Sequence, residues 1–101
     1  MQDKVETMLN FAMRARKVVM GTDNIEVSRK KCLIVICHTL SERSKAKLVR
    51  DNPTIPILVS KRELSEVIHK SGKAIAVTDK NMVKEILKNY QENYELISEG
   101  E

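Results

Sequence analysis

The spacing of apolar residues changes period several times along the chain. Val5, Met8, Leu9, Ala12 and Met13 recur at three- and four-residue intervals, which predicts an amphipathic helix over residues 3–16 with Met and Phe11 as core filler. Val18 to Met20 is a short β-favouring run stopped by Gly21. Thr22 or Asp23 can cap a second helix running to about Lys30. Cys32-Leu33-Ile34-Val35-Ile36-Cys37 is apolar throughout and β-branched in the middle, the pattern of a strand covered on both faces. Thr39 and Glu42 form a capping box for a third helix, about Leu40 to Arg50. After the Asp51-Asn52-Pro53 loop, Pro56 to Val59 reads as a strand, with the proline tolerable at its start or at an edge. A second capping box, Ser60 to Glu63, opens a helix with Leu64, Val67 and Ile68 inward. Gly72 lies in the next turn, and Ala74 to Val77 is the last predicted strand. Thr78-Asp79 caps a final helix with Met82, Val83, Ile86, Leu87 and Tyr90 inward, and the chain is expected to fray beyond Tyr94.

Helices and strands that alternate in this way build a small sheet with helices on both faces. The expectation is a single α/β domain over residues 1–94, a three-layer α/β/α sandwich on a mostly four-stranded sheet. An acidic tail is expected over residues 95–101. The length of 101 residues suits one domain.

Composition narrows the chemistry. The only aromatic residues are Phe11, Tyr90 and Tyr94, so the core must be aliphatic and a multi-aromatic base-stacking platform is excluded. The longest apolar run, Cys32 to Cys37, is far short of the roughly 20 residues that span a bilayer. The N-terminus has no signal-peptide pattern, so a cytoplasmic location and no membrane partner are expected. Cys32 and Cys37, five apart in one predicted strand, should face opposite sides of the sheet and stay unbridged. Two free thiols suit a reducing compartment. No C-x-x-C occurs, and His38 and His69 are far apart in sequence and lack an evident acid or nucleophile partner. Neither a metal site nor a cofactor is expected.

Charge is distributed unevenly. Residues 1–50 hold 11 Lys and Arg against 5 Asp and Glu, and residues 51–101 hold 7 against 9, so the halves carry +6 and −2. From Asn89 onward there is no cation, while Glu92, Glu95, Glu99 and Glu101 supply four negative charges. A basic first half suggests an anionic partner, with a solvated surface as the plain alternative. Arg14, Arg16 and Lys17, then Arg29, Lys30 and Lys31, are the clusters that would hold phosphates on either side of Gly21.

Three stretches, FAMRARKVVMGTDN, PILVSKREL and AIAVTDKNMVKEIL, resemble the ribosomal protein L-seven-Ae family of kink-turn RNA-binding proteins, in particular its small bacterial YlxQ-like branch. The resemblance covers roughly Met8 to Leu87, in the right order. It implies a non-catalytic, ribosome- or ribonucleoprotein-associated protein that binds sharply bent RNA. It also implies contact through a glycine turn, typically Gly-x-Asn-Glu with a Lys three residues after the Glu. Here Gly21 matches the glycine and Thr22 the variable position, while Asp23 replaces Asn, Asn24 replaces Glu, and Val27 replaces Lys. The family's second contact, an apolar loop before the last strand, is here His69-Lys70-Ser71-Gly72-Lys73, in which Lys70 and Lys73 could meet phosphate. The expected partner is structured RNA, bound by a monomer.

Two other readings use the same residues. Cys37-x5-Arg43-Ser44 fits the spacing of cysteine-dependent phosphatases, between a buried strand and a helix. That chemistry needs an exposed, activated thiolate and a guanidinium clamp. The residues between lack glycine, and Glu42 would repel the substrate. The other reading is a protein-interaction module that keeps the fold without RNA binding.

Overall fold

In a computed structural model, described over residues 4–100, ten elements follow in order: α1 (Lys4–Arg14), β1 (Val18–Met20), α2 (Thr22–Val27), β2 (Leu33–Cys37), α3 (Glu42–Asp51), β3 (Ile57–Ser60), α4 (Leu64–Ile68), β4 (Ala74–Val77), α5 (Lys80–Lys88) and β5 (Tyr94–Ser98). The strands form one mixed sheet in the order β1-β4-β2-β3-β5. Only β2 and β3 run parallel; the other neighbours are antiparallel.

Side-chain alternation divides the sheet into two faces. Leu33, Val35, Cys37, Leu58, Ile75 and Val77 meet Val5, Leu9 and Ala12 of α1, Leu64 and Val67 of α4, and Val83 and Ile86 of α5. Ile34, Ile36, Ile57, Ala74 and Ala76 face the other way, onto Ile25 of α2 and Leu48 of α3. This is the expected three-layer sandwich. All five residues of β2 are buried, as its unbroken apolar run required. The two alanines of β4 leave room for the short α2, whose one buried residue is Ile25. On the three-helix face, Arg62 of the β3–α4 loop donates to the buried Glu6 carboxylate at 2.9 Å, which ties that loop to α1.

Several expectations are corrected. The sheet has a fifth strand. Residues 95–98, expected to begin a fraying acidic tail, continue from Tyr94 as a strand that pairs with β3, and Tyr94 is buried against the core. Tyr94, Leu96 and Ser98 alternate with the exposed Glu95 and Ile97, a two-residue period that the glutamates obscure. Of the predicted termini, Asp3 and Glu101 lie outside the described residues. Phe11 points to solvent, 52% exposed, because the Val5-Leu9-Ala12 stripe already fills the helix face.

The caps also differ. Helix α3 starts two residues later than predicted: Ser41, not Thr39, accepts the Ser44 N–H. The Thr39 hydroxyl is occupied elsewhere, 3.0 Å from Cys37 Sγ and accepting from Lys73 Nζ at 3.1 Å. Ser60 ends β3 and donates to the Arg62 carbonyl, so it is not the cap of α4, where Glu63 stands without a side-chain bond. Asp79 caps α5 as expected, accepting from the N–H groups of Asn81 and Met82. Helix α2 stops at Val27, short of Lys30, since Ser28 turns to extended backbone. Cys32 precedes β2 and packs against the same cluster as Cys37. Its place outside the pleat breaks the expected alternation. Both thiols are free.

Candidate functional site

The glycine turn is built by the β1–α2 junction. Gly21 has φ 87° and ψ 144°, a conformation that disfavours any side chain. A Cβ there would meet nothing nearer than Asn24 Nδ2 at 3.9 Å, so the requirement is conformational, not steric. The Gly21 N–H donates to the Ala74 carbonyl at 3.1 Å. That bond fixes the turn beside the start of β4. Neither Thr22 nor Asp23 caps α2. Asn24 is exposed, and its amide donates back to the Met20 carbonyl at 2.9 Å, which holds the turn closed. Asp23 is exposed beside it.

Residues 69–73 reach the same end of the sheet. A Cβ on Gly72 would come within 3.1 Å of the Met20 side chain, so this loop packs on the end of β1. Lys73 follows, bonded to Thr39, and Lys70 is exposed. Gly21, Thr22, Asp23, Asn24, Lys70 and Lys73, taken from two distant stretches of sequence, therefore gather at one end of β1 and β4.

The other cations gather at the opposite end. The Thr78 N–H donates to the Lys17 carbonyl at 2.8 Å, and the Cys32 N–H to the Val77 carbonyl at 2.8 Å. Arg16 and Lys17, and the Arg29-Lys30-Lys31 run, thus meet where β4 ends. The single patch around Gly21 that the sequence suggested is two patches, one at each end of the short edge strand. Arg14 lies near His69 and Lys70, members of the loop that reaches the Gly21 end.

Ion pairs occupy some of the cations elsewhere, although Lys4, Arg43, Lys61, Lys80 and Lys84 also pair with no carboxylate of the described residues. Lys45, Lys47, Arg50, Arg62 and Lys88 pair with Glu42, Glu26, Asp51, Glu6 and Glu85. Arg14, Arg16, Lys17, Arg29, Lys30 and Lys70 make no ion pair with any described residue. Lys31 and Lys73 donate to neutral oxygens, Asn52 Oδ1 at 2.7 Å and Thr39 Oγ1. A cavity of about 230 Å³ between α2 and α3 is lined by Thr22, Asp23, Glu26, Lys31 and Lys47 among others, and its mixed charge singles out no ligand.

The phosphatase constellation does not assemble. Cys37 is fully buried, and its sulfur accepts the Leu64 N–H at 3.5 Å, whereas Arg43 is exposed on α3. No group of three or more metal-ligating side chains occurs among the described residues. No helix among them is long and apolar enough to cross a membrane.

No family model matches the chain, and no curated protein matches it. Among solved structures it is similar to a protein of unknown function from Bacillus halodurans C. The TM-score is 0.78 and the identity 21%, over 86% of this chain and 96% of that one. At that identity the likeness concerns the fold.

Proposed function

We propose that this chain is a non-catalytic, RNA-binding protein that holds structured RNA along its β1 edge, as a cytoplasmic monomer associated with ribonucleoprotein. The observation that carries the reading is the set of cations around β1 and β4 that no carboxylate of the described residues neutralises. A surface of this kind has its favourable partner in a polyanion, whose condensed counterions are released on binding. The resemblance to the kink-turn-binding family points to structured RNA as that polyanion. The departures at Asp23, Asn24 and Val27 weaken the turn itself as a contact, because Asp23 repels phosphate and the Asn24 amide is already engaged with Met20, so the flanking cations carry the phosphate contacts.

The test is a titration against kink-turn RNA and a plain duplex of equal length at several salt concentrations. Binding with a steep salt dependence is expected, at about 0.7 to 0.9 in log–log slope for each phosphate contact. Absent binding at low salt, or binding indifferent to salt, refutes the reading and favours a protein-interaction module.

A further inference from the structure

His69 stands at a backbone position that suits glycine. Its φ is 58°, in the left-handed region, where it ends α4. Helices commonly end on such a residue, usually glycine, because a Cβ there is disfavoured. Among the described residues only His69 and Arg16 occupy this region without being glycine. The imidazole of His69 opens onto a surface depression of about 290 Å³ between α1 and the α4–β4 loop, lined by Asn10, Met13, Arg14, Ile68, His69 and Lys70. Three of those six side chains are basic and none is acidic. Arg14 and Lys70 pair with no carboxylate of the described residues.

The walls are fixed before any ligand arrives. Asn10 donates from one amide nitrogen to the Glu6 carbonyl of its own helix at 2.8 Å and to the Val67 carbonyl of α4 at 2.9 Å. That bifurcated clasp sets the spacing between α1 and α4. The loop beyond Lys70 is packed on Met20 through Gly72, which anchors that side of the depression to the end of β1.

We propose that this depression is an oxyanion subsite that receives one backbone phosphate of the bound RNA, with Arg14, His69 and Lys70 as its donors. The proposal rests on the RNA-binding reading. Arg14 supplies a planar fork suited to two phosphate oxygens, Lys70 a point charge, and His69 a ring N–H donor on a backbone that holds it in place. The side-chain chemistry accounts for a histidine where glycine would cost less.

The same conformational fact supplies a discriminating test. His69→Gly removes the imidazole and relieves the backbone, so lost binding cannot be attributed to lost folding. RNA affinity at low salt is measured for wild type, His69→Gly, Arg14→Gln and, as a control on the exposed face of α5, Lys84→Gln. The expected result is a melting temperature for His69→Gly at or above wild type, with affinity for RNA lowered roughly fivefold in His69→Gly and Arg14→Gln. The salt slope of Arg14→Gln should be lower by about 0.7 to 0.9. Inorganic phosphate, titrated while backbone amide shifts are followed, should move the signals of His69 and Lys70 in wild type. RNA binding that persists unchanged in both variants overturns the subsite and leaves the wider reading standing. No RNA binding by wild type overturns both. Equal losses in Lys84→Gln would also overturn the subsite, because they would show a charge effect without a location.

Discussion

Arg16→Gly should make the protein more stable and a poorer RNA binder. Helix α1 ends in two interlocking bonds: the Lys17 N–H reaches the Ala12 carbonyl at 2.8 Å, and the Arg16 N–H reaches the Met13 carbonyl at 3.1 Å. This is a Schellman ending, and it places Arg16 at φ 59°. An L-residue with a Cβ is disfavoured in that conformation by about 1 to 2 kcal/mol. Glycine removes that cost but gains more freedom in the unfolded chain, worth about 0.5 to 1 kcal/mol. The net is a stabilisation of about 0.5 to 1 kcal/mol. Arg16 is exposed and pairs with no described carboxylate, so little packing or ion-pair energy is lost with its side chain. For a domain of this size about 1 kcal/mol moves the melting temperature by roughly 4 to 8 °C, so the shift should be a few degrees upward, read by circular dichroism. RNA titration of the same variant should show a log–log salt slope shallower by about 0.7 to 0.9. A lower melting temperature would refute the conformational argument. A raised melting temperature with an unchanged salt slope would remove Arg16 from the RNA surface.

Asp23→Asn combined with Val27→Lys should strengthen RNA binding by about 1 to 3 kcal/mol if one base contact is recovered, and more for kink-turn RNA than for duplex. Val27 is 77% exposed, so the lysine fits without repacking. Equal gains on both RNAs would mean a nonspecific charge effect, and no gain would mean that the turn is not the RNA site. Deleting residues 94–101 should destabilise by more than about 3 kcal/mol, because it removes buried Tyr94 and the β3 pairing. An unchanged urea midpoint would contradict the position of β5. Cys37→Ser should leave RNA affinity unchanged and cost about 1 kcal/mol or more, as the smaller hydroxyl underfills a fully buried site. Aryl phosphate turnover by wild type that vanishes in both Cys37→Ser and Arg43→Ala would overturn the non-enzymatic reading.

Much of this fold was legible because a few segments are unambiguous. Cys32 to Cys37 is too apolar and β-branched to be anything but a central strand, and Asp79 ahead of Met82, Val83 and Ile86 marks a helix start. What escaped were competitions for side-chain groups that only the folded chain decides. Thr39 and Ser60 both fit capping boxes, yet the folded chain gives Thr39 to Cys37 and Lys73, and Ser60 to Arg62. β5 escaped because its inward residues, Tyr94 and Leu96, alternate with residues dictated by an exposed edge, and the glutamates dominate the local charge. The two positive-φ residues were invisible for a related reason. A left-handed cap is inferred from glycine, and here arginine and histidine take its place.

The separation of the cations into two groups has a consequence for how RNA would lie. From Lys17 to Gly21 the chain runs as near-extended strand for four residue intervals, about 13 Å at roughly 3.3 Å each. A nucleic-acid duplex carries one charge per about 1.7 Å of its axis, so several phosphates fall within that span. One short duplex laid along β1 can therefore meet the Arg16-Lys17 and Arg29-Lys31 cations at one end and Lys70 and Lys73 at the other. β1 is also the sheet's edge strand, with β4 on one side and no strand on the other. A rod-shaped partner along that edge would meet no neighbouring strand. A contact concentrated at the Gly21 turn alone would leave the Arg29-Lys31 run without a role. A lengthwise contact would use both ends, with the RNA backbone supplying negative charge opposite each group of cations.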